Sequence, residues 1–212
     1  MTIIPDNKQN RLLAADYLRL GKVVAYPTDT VYGLGVDTLN PQSVVRLFNV
    51  KGRSREIAVP ILIGSMDQLA NVATEIPALA YKIAEKFWPG QLTLVLKKNA
   101  KIPLEVTANH STIAVRIPNH PCALNLSKEF EAGIIGTSAN IHGEPSTLSA
   151  AEVNTQIGSG TDLILDGGKS KSNQASTIVS VVSGEFSILR EGLIKKSILE
   201  SFVSTLILEG EI

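Results

Sequence analysis

The chain has 212 residues, of which 44% are hydrophobic and 19% charged, so its composition excludes an intrinsically disordered protein. Lysine plus arginine and aspartate plus glutamate number 20 each, and this zero net charge excludes the overall positive charge of proteins that wrap duplex nucleic acid. One cysteine and three scattered histidines exclude an internal disulfide and a Cys/His zinc site.

The N-terminal residues indicate the compartment in which the protein works. They become polar by Asp6 and contain no apolar run followed by a small-residue cleavage site, which argues against a secretory signal. No stretch approaches the roughly 18 apolar residues of a membrane helix. We therefore expect a cytoplasmic protein with no membrane partner.

Caps and apolar residues predict the first elements of the chain. Asp6 or Asn7 can cap a helix, and Gly21 suits the left-handed residue that ends it. Residues 22–26 (KVVAY) predict a buried strand, and residues 27–35 (PTDTVYGLG) predict a loop after it. The chain therefore begins as helix, strand and loop.

The same signals continue toward the C-terminus. Asparagine before proline, as in Asn40-Pro41, predicts the start of a second helix, which ends near Gly52. Ser149 and Glu152 form a capping box at the start of a later helix. Further strands are predicted at residues 59–63, 92–97, 112–117, 133–138, 162–166, 176–182 and 186–190, and further helices near residues 66–72, 77–88, 121–130, 149–156 and 195–208.

The order of these elements predicts the fold class. Strands that alternate with helices of about ten residues are typical of α/β proteins. The last two strands are close enough in sequence to form a hairpin, which favours a mixed sheet. No linker divides the chain, so we predict one domain over residues 1–212, a twisted, mixed, open α/β sheet with helices on both faces.

Residues 46–55 contain four basic side chains and no acidic one, namely Arg46, Lys51, Arg53 and Arg55. Cations complement the negative end of a helix dipole, so a solvated helix end is one interpretation. A Lys-Gly-Arg turn also suits polyphosphate, because arginine grips two oxygens and lysine acts as a point charge. The segment alone leaves both interpretations open.

Two polar loops follow predicted buried strands, where open α/β sheets usually bind ligands. Residues 27–35 (PTDTVYGLG) offer hydroxyls and glycines, and residues 137–140 (TSAN) offer hydroxyls and an amide. Threonine, aspartate and glycine are also ordinary turn residues. Each loop by itself is as compatible with a structural turn as with a ligand site.

Six motifs, taken together and in this order, resemble the YrdC/TsaC family of threonylcarbamoyl-AMP synthases over about residues 10–195. They are PTDTVYGLG at 27–35, Lys51-x-Arg53, Thr112-Ile-Ala-Val-Arg116-Ile-Pro118, Ser138-Ala-Asn140, Ser176-Thr-Ile-Val179 and Leu189-Arg190-x-Gly192. The resemblance implies the YrdC-like fold in its short form, with no further domain after residue 212.

The resemblance also implies an enzyme activity. Members of the family condense L-threonine, bicarbonate and ATP into threonylcarbamoyl-adenylate and release pyrophosphate, which makes them nucleotidyltransferases. A separate tRNA-modifying transferase complex then transfers the threonylcarbamoyl group to tRNA. Weak RNA binding by this chain is a further expectation.

Carried over by position, the resemblance places the threonine site on Thr30, Arg116, Ser138 and Ser176. It places the ATP site on Lys51, Arg53, Thr112, Asn140, Ser149 and Arg190. Lys51 and Arg53 are the candidate catalytic residues, since an anion that attacks the α-phosphate of ATP requires cations rather than a covalent nucleophile. We expect Mg²⁺ to be bound through ATP, without dedicated metal ligands.

The chain departs from the family pattern at a few positions. Relatives often carry proline, asparagine and histidine where this chain has Ser54, Ile57 and Leu62. The hydroxyl expected after the Ser-x-Asn loop is either Thr147 or Ser149. We expect contacts made from residues 54–62 to differ from those of relatives.

Two other functions remain compatible with the sequence. A paralogue of the same fold binds nucleotide or RNA without making the threonine adduct, and the resemblance suggests that such paralogues lack the pair Ser138-x-Asn140. A nucleic-acid-binding module that uses residues 46–55 is the other alternative. The zero net charge and the aromatic content of 5% argue against the module.

Overall fold

The computed structural model describes residues 2–170, 172 and 174–211, and these form a mixed α/β structure. The strands are β1 (Thr2–Pro5), β2 (Val24–Tyr26), β3 (Gly33–Gly35), β4 (Ile61–Leu62), β5 (Leu92–Lys97), β6 (Thr112–Arg116), β7 (Ile134–Ile135), β8 (Thr137–Ser138), β9 (Leu163–Asp166), β10 (Thr177–Ser180) and β11 (Ser187–Arg190). The helices are α1 (Lys8–Arg19), α2 (Pro41–Lys51), α3 (Leu69–Val72), α4 (Ala78–Phe87), α5 (Leu104–Thr107), α6 (Pro121–Phe130), α7 (Ala150–Ile157) and α8 (Lys196–Leu208).

Capping residues set the ends of the first two helices. The side chain of Asn7 accepts a hydrogen bond from an amide of the first turn of α1 at 2.9 Å, and Gly21 follows this helix at φ 73°. Asn40 accepts from two amides at the start of α2, Pro41 is its first residue, and Gly52 ends it at φ 59°. Left-handed backbone favours glycine because a side chain there meets the following carbonyl. The predicted ends of both helices are confirmed.

The strands form two mixed sheets. The first has the strand order β1-β9-β2-β3-β8, and the second has the order β11-β10-β5-β6-β4-β7. Both contain parallel pairs, such as β1 with β9 and β5 with β10, beside antiparallel pairs such as β2 with β3 and β5 with β6. The final strands β10 and β11 are antiparallel neighbours, as predicted. The mixed α/β class is confirmed.

The two sheets are connected through two segments that pair with each other, residues 33–37 and residues 134–138. We call these two segments the sheet junction. Strand β3 pairs with β8 in the first sheet. Just beyond β3, the carbonyl of Val36 accepts a hydrogen bond from the N–H of Ile135 in β7 at 3.1 Å, and β7 belongs to the second sheet. The predicted single sheet is therefore two sheets connected at this junction.

Gly136 divides the predicted strand 133–138 into β7 and β8. Its N–H donates to the carbonyl of Pro60 at 2.9 Å, and the side chain of Leu62 occupies the space that a Cβ at this position would need. A residue with a side chain would not fit there without displacing Leu62. The glycine thus allows the chain to cross between the sheets.

The sequence pattern does not predict β1, β3 and α5. Strand β3 reads Gly-Leu-Gly, and glycine disfavours strands, but β2 and β8 pair with it on both sides and all three residues are buried. Strand β1 is a largely exposed four-residue edge strand, and α5 is one turn long. None of the three is long enough to show a period.

Helices cover both faces of the first sheet. Val24 and Tyr26 of β2 lie in an apolar cluster with residues of α1 and α6. Ala25, between them, lies in a larger cluster with residues of α2 and α7. Since side chains alternate along a strand, β2 contributes to both clusters. Among residues 2–170, 172 and 174–211, no helix has the length and hydropathy that a membrane span requires.

The second sheet presents two different faces. Leu92, Leu94 and Leu96 of β5 are fully buried in the larger cluster, together with residues of α4 and α8. Thr93 of β5 and Ala114 and Arg116 of β6 point to the other side. This other side forms the floor of a cavity.

Candidate active site

A cavity of about 420 Å³ lies over the second sheet, a size typical of small-molecule sites. Thr93 of β5, Ala114 and Arg116 of β6, and Ile178 of β10 line its floor. Loops that follow β2 and α2 contribute to its walls, as does β8. Six of the ten predicted site residues line this cavity: Thr30, Arg53, Arg116, Ser138, Ser176 and Arg190.

Arg116 is 6% exposed and has a buried acidic partner. Its Nη2 donates to Asp29 Oδ1 at 2.6 Å, its Nη1 to Thr30 Oγ1 at 3.3 Å and its Nε to the carbonyl of Gly90 at 2.8 Å. Burial lowers the pKa of Arg116, and the charge of Asp29 opposes this effect. Within the described residues these bonds use three of the five guanidinium N–H groups, so two remain for an anionic ligand.

Arg190 lies at a more open side of the cavity and holds the backbone of Ser176. Its Nη2 donates to the Ser176 carbonyl at 2.8 Å, and its Nε donates to the same oxygen at 3.2 Å. The Ser176 hydroxyl lies 2.8 Å from the hydroxyl of Thr93. Partial burial and the nearby charge of Arg116 lower the pKa of Arg190, so an anion between the two arginines would relieve their repulsion.

Arg53 follows α2 and brings a third guanidinium to the cavity. Its Nη2 donates to the carbonyl of Ala58 at 2.9 Å, and its Nη1 donates to Thr137 Oγ1 at 3.4 Å. Its Nε is buried and has no partner among the described residues. A buried donor without a partner is costly, and a ligand oxygen would satisfy it.

The hydroxyls of Thr30 and Ser138 complete the polar lining that the sequence predicts. Thr30 Oγ1 lies 2.9 Å from the hydroxyl of Thr28 and accepts from Arg116. Ser138 is the last residue of β8 and faces the same cavity. The cavity thus combines hydroxyls with three cations.

Four predicted site residues lie outside the cavity lining. Lys51 is buried behind it, and Thr112 is at the far end of β6, roughly 13 Å along the strand from Arg116 at about 3.3 Å per residue. The Asn140 amide donates to two carbonyls of its own loop at 2.8 and 2.7 Å, while its Oδ1 is buried without a partner among the described residues. The Ser149 hydroxyl caps α7 by accepting from the Glu152 N–H at 3.3 Å. The ATP-site assignment of these four stays a prediction.

The sequence did not single out Asp29, Thr93 and Ser146, although Thr93 and Ser146 line the cavity and Asp29 holds Arg116. Thr93 has a signal in the sequence, because it is a hydroxyl among the alternating leucines of residues 92–97 and therefore faces the other side of the strand. Thr147, one of the two residues left open, is buried and donates to the carbonyl of Ala139 at 3.0 Å. No comparable signal identifies Asp29 or Ser146.

The departures from the family pattern lie outside the cavity lining in the described part of the chain. Leu62 is buried in β4 against Gly136. Ser54 and Ile57 are exposed in the loop after α2. Arg53 nevertheless reaches the cavity from this loop, so the changed residues leave its guanidinium in place.

The basic residues 46–55 do not form one exposed cationic surface. Arg46 pairs with Asp162 at 2.6 Å, Lys51 is 1% exposed, and Arg53 faces the cavity. Of the four, Arg55 is exposed and lies outside the cavity lining. The geometry therefore favours a small anionic ligand in the cavity over a nucleic-acid backbone on this segment.

Comparison with known proteins agrees with the arrangement of these motifs. A family model described as "Telomere recombination", for the Sua5/YciO/YrdC domain, matches residues 16–192. The chain belongs to this family. The resemblance to the YrdC/TsaC family seen in the motifs is thereby confirmed.

The curated relatives of this Sua5/YciO/YrdC protein include synthases of different lengths. The threonylcarbamoyl-AMP synthase of Pyrococcus abyssi is 42% identical over 180 residues, which cover 85% of this chain and 53% of the relative. That of Coxiella burnetii is 33% identical over 172 residues, which cover 81% of this chain and 92% of the relative. The chain thus spans about half the length of the first relative and most of the second.

Solved structures of the family share the fold. Pyrococcus abyssi Sua5 in complex with L-threonine superposes with a TM-score of 0.92 at 38% identity, over 96% of this chain and 61% of that protein. Escherichia coli YciO gives a TM-score of 0.80 at 23% identity, over 91% of this chain and 95% of that protein. The mixed α/β fold of this chain is therefore that of the family.

Proposed function

We propose that the cavity is the active site of an L-threonylcarbamoyladenylate synthase, which condenses L-threonine, bicarbonate and ATP into threonylcarbamoyl-adenylate and pyrophosphate. The observation that carries the proposal is the convergence of Arg53, Arg116 and Arg190 on one cavity that also holds several hydroxyls. No carboxylate belongs to the lining formed by residues 2–170, 172 and 174–211. Such a site suits a reaction in which every substrate carries negative charge.

In this proposal, one end of the cavity binds threonine and the other end binds ATP. Arg116 binds the threonine carboxylate with its two remaining N–H groups, and Thr30, Ser138 and Ser176 surround the rest of the amino acid. Arg53 and Arg190 bind the phosphates of ATP. The relatives support threonine as the substrate, since Pyrococcus abyssi Sua5 forms a complex with L-threonine and the relatives are named threonylcarbamoyl-AMP synthases.

The reaction requires no covalent intermediate with the protein. The threonine amine loses its proton and forms a bond to the bicarbonate carbon, water leaves, and a carbamate results. A carbamate oxygen then attacks the α-phosphorus, and the bond from this phosphorus to the bridging oxygen breaks as pyrophosphate leaves. The guanidinium groups neutralise the charge that collects on the departing oxygens.

Mg²⁺ is proposed to enter with ATP. The polar lining consists of guanidinium and hydroxyl groups, and in the described part of the chain no three His, Cys, Asp or Glu side chains cluster as metal ligands would. Magnesium prefers oxygen ligands and keeps several waters, so the phosphates suit it better than these residues do. When bound, it shares the charge of the leaving pyrophosphate.

The product is an activated acyl-adenylate, and we propose that a separate tRNA-modifying transferase complex consumes it in the cytoplasm. Weak RNA binding by this chain would assist transfer of the product to that complex. The paralogue that binds nucleotide without synthesis is the competing function. The Ser138-x-Asn140 pair favours the synthase over this paralogue.

Pyrophosphate release tests the proposal directly. Purified protein is incubated with ATP, Mg²⁺, bicarbonate and one amino acid at a time. We expect threonine to give the highest rate and valine the lowest, with serine between them, because a site that hydrogen-bonds a hydroxyl discriminates more strongly against its loss than against a missing methyl. Equal rates with all three amino acids would contradict the threonine assignment, and no release would contradict synthase activity.

Arg53 and Arg55 provide a matched pair for the same assay. Arg53→Ala should lower the rate by about 10²-fold, as removal of one preorganised donor usually does. Arg53→Lys should remain impaired, since an ammonium does not reproduce the two-pronged contact with phosphate oxygens. Arg55→Ala removes an equal charge from the exposed part of the loop and should leave the rate within about two-fold.

A further inference from the structure

Lys51 is buried, with a charge that no carboxylate balances within ion-pair distance in the described part of the chain. The residue is 1% exposed and is the last residue of α2. Its Nζ donates to the carbonyl of Asn140 at 2.7 Å and also to the carbonyl of Ser138. Burial of a lysine without a carboxylate partner costs free energy. The hydrogen bonds to these two carbonyls offset part of that cost.

The main chain of Lys51 adds a third contact to the same loop. Its carbonyl accepts a hydrogen bond from the N–H of His142 at 2.8 Å. Residues 138–142, which we call the substrate loop, are thus attached to the C-terminal turn of α2 at three points. The attachment involves only backbone atoms of the loop, so it does not use the side chains of Ser138 and Asn140.

The substrate loop is fixed from its other side as well. The N–H of Ala139 donates to the carbonyl of Tyr32 at 2.8 Å, and its carbonyl accepts from the Thr147 hydroxyl at 3.0 Å. The N–H of Tyr32 in turn donates to the carbonyl of Thr147 at 3.0 Å. These bonds hold Ala139 on one side of the loop, and Lys51 holds the neighbouring carbonyls of Ser138 and Asn140 on the other.

The two cations of the Lys-x-Arg motif differ in what they can reach. Arg53 lines the cavity and has a buried Nε without a partner in the described chain. Lys51 lies outside the lining, and its ammonium is committed to carbonyls of the substrate loop. A compact ammonium with three donors suits two converging carbonyls, whereas a planar guanidinium suits phosphate oxygens.

We infer that Lys51 is a positioning residue that fixes the substrate loop through the carbonyls of Ser138 and Asn140, while Arg53 binds the phosphate charge. The inference rests on the proposed function, because it concerns the loop that presents Ser138 to threonine. It changes the expected role of Lys51 from contact with substrate to support of the residues that make this contact.

The protonation of Lys51 is consistent with this role. Burial is the larger of two causes that together lower its pKa to about 7, and the charge of Arg53 is the smaller one. A neutral amine still has two N–H groups for the two carbonyls, so the attachment of the loop persists in either form. A direct phosphate contact would instead depend on the charged form.

Three variants distinguish two roles of Lys51, namely support of the substrate loop and direct contact with phosphate. Lys51→Met keeps the length of the side chain and removes its donors. Lys51→Gln is neutral but keeps two N–H donors, and Arg53→Met is the comparison variant. Inorganic pyrophosphate is the probe, and its binding is measured by calorimetry. Hydrogen exchange of residues 138–142 and the rate of pyrophosphate release with saturating ATP and threonine are measured on the same samples, well below their melting temperatures.

We expect Lys51→Met to bind pyrophosphate within about three-fold of the wild type, because no charge-assisted contact is lost. Its turnover should fall by about 10²-fold, as when reacting groups are displaced by about 1 Å. Exchange of residues 138–142 should accelerate. Lys51→Gln should lie between the wild type and Lys51→Met in turnover and exchange. Arg53→Met should weaken pyrophosphate binding by about ten-fold or more, with unchanged exchange in the loop.

Equal losses of pyrophosphate affinity in Lys51→Met and Arg53→Met would overturn the inference, since Lys51 would then contact phosphate. Unchanged exchange of residues 138–142 in Lys51→Met would also overturn it. If Lys51→Met does not fold, Lys51→Gln undergoes the same two measurements with the same criteria. Failure of the wild type to bind pyrophosphate would reject the proposed function, and the exchange measurement would still decide the role of Lys51.

Discussion

Asp29 and Arg116 form a buried ion pair beside the cavity. Their side chains are 10% and 8% exposed, and they meet at 2.6 Å. The second carboxylate oxygen of Asp29 is buried without a partner among the described residues. The Arg motif in the sequence predicts the cation, but the aspartate is recognised as its partner only when the loop after β2 is placed over β6.

We expect Asp29→Ala to lower the free energy of unfolding by about 3–5 kcal/mol, because it leaves a buried guanidinium without its counter-charge. Urea unfolding measures this change. Asp29→Asn should cost less, since its amide oxygen still accepts a hydrogen bond from Arg116. The matched control is Asp16→Ala, which breaks the exposed pair with Arg19 and should cost about 0–1 kcal/mol. Similar losses in the two alanine variants would contradict the importance of burial.

Lys51 should make stability depend on pH above neutrality. Its pKa is about 7 in the folded protein and about 10.4 in an unfolded chain, so between pH 7 and 9 the unfolded state binds a proton that the folded state has released. The free energy of unfolding should therefore rise with pH in this window, by at most about 1.4 kcal/mol per unit. Burial raises the pKa of Cys122 and Tyr26, and these groups act in the opposite direction at higher pH.

Urea unfolding at pH 7, 8 and 9 checks this dependence for the wild type and Lys51→Met. The wild type should gain stability relative to the variant as the pH rises. The contributions of Cys122 and Tyr26 are common to both proteins and cancel in the difference. Parallel pH curves would show that Lys51 has an ordinary pKa.

At the scale of elements, Gly35 lies where β3 passes most closely to β7. A Cβ at this position would lie 2.6 Å from Cγ2 of Ile134 and 2.8 Å from the carbonyl oxygen of Ile135. The backbone of β7 cannot move without disturbing its pairing with β4. The absence of a side chain on Gly35 is therefore a condition for the sheet junction.

Gly35→Ala should cost about 1–3 kcal/mol of stability, as overpacking of a well-packed core does. Thermal unfolding followed by circular dichroism measures the loss. Gly143→Ala is the control, because no atom lies within 4 Å of its added Cβ and only its φ of 87° opposes the change. We expect the control to cost less, about 1 kcal/mol. A smaller loss at Gly35 than at Gly143 would show that β7 adjusts freely.

Elements with strong local signals are predictable from this sequence, and elements made by pairing are not. Helix α2 is predictable because Asn40, Pro41 and Gly52 each favour its ends locally. Strand β3 is not, because its two glycines disfavour a strand until neighbours on both sides supply hydrogen bonds. The sheet junction arises from the same kind of distant pairing, so the pattern indicates one sheet where the chain forms two.

The candidate site likewise contains residues that the sequence predicts and residues whose positions depend on distant contacts. Motif residues such as Arg53 and Ser138 are predictable, and the structure brings them to one cavity. The environment of Lys51 is not, because the sequence shows its charge but not the carbonyls that surround it. The positions of Asp29 and Ser146 at the site result from the packing of loops from the two sheets. No local sequence pattern predicts this packing.

At the scale of the whole molecule, the cavity depends on both sheets. Thr93, Arg116 and Ser176 belong to the second sheet or its edge, whereas Thr30 and Ser138 belong to loops and strands of the first. Neither sheet alone could assemble the set of arginines and hydroxyls. Activity should therefore be sensitive to the relative position of the two sheets, and the sheet junction is the contact that sets this position.

Because β7 and β8 are separated by a single residue yet complete different sheets, the junction also makes the sheets lose their structure together. The protein should unfold in one cooperative transition, without a half-folded intermediate. Trp88, whose Nε1 donates to the carbonyl of Leu92 at 2.7 Å, reports on the second sheet by fluorescence. Hydrogen exchange of β2 and β9 reports on the first, and both probes should give the same urea midpoint. Partial proteolysis would then release no stable fragment, so a cell would contain either the complete cavity or an unfolded chain.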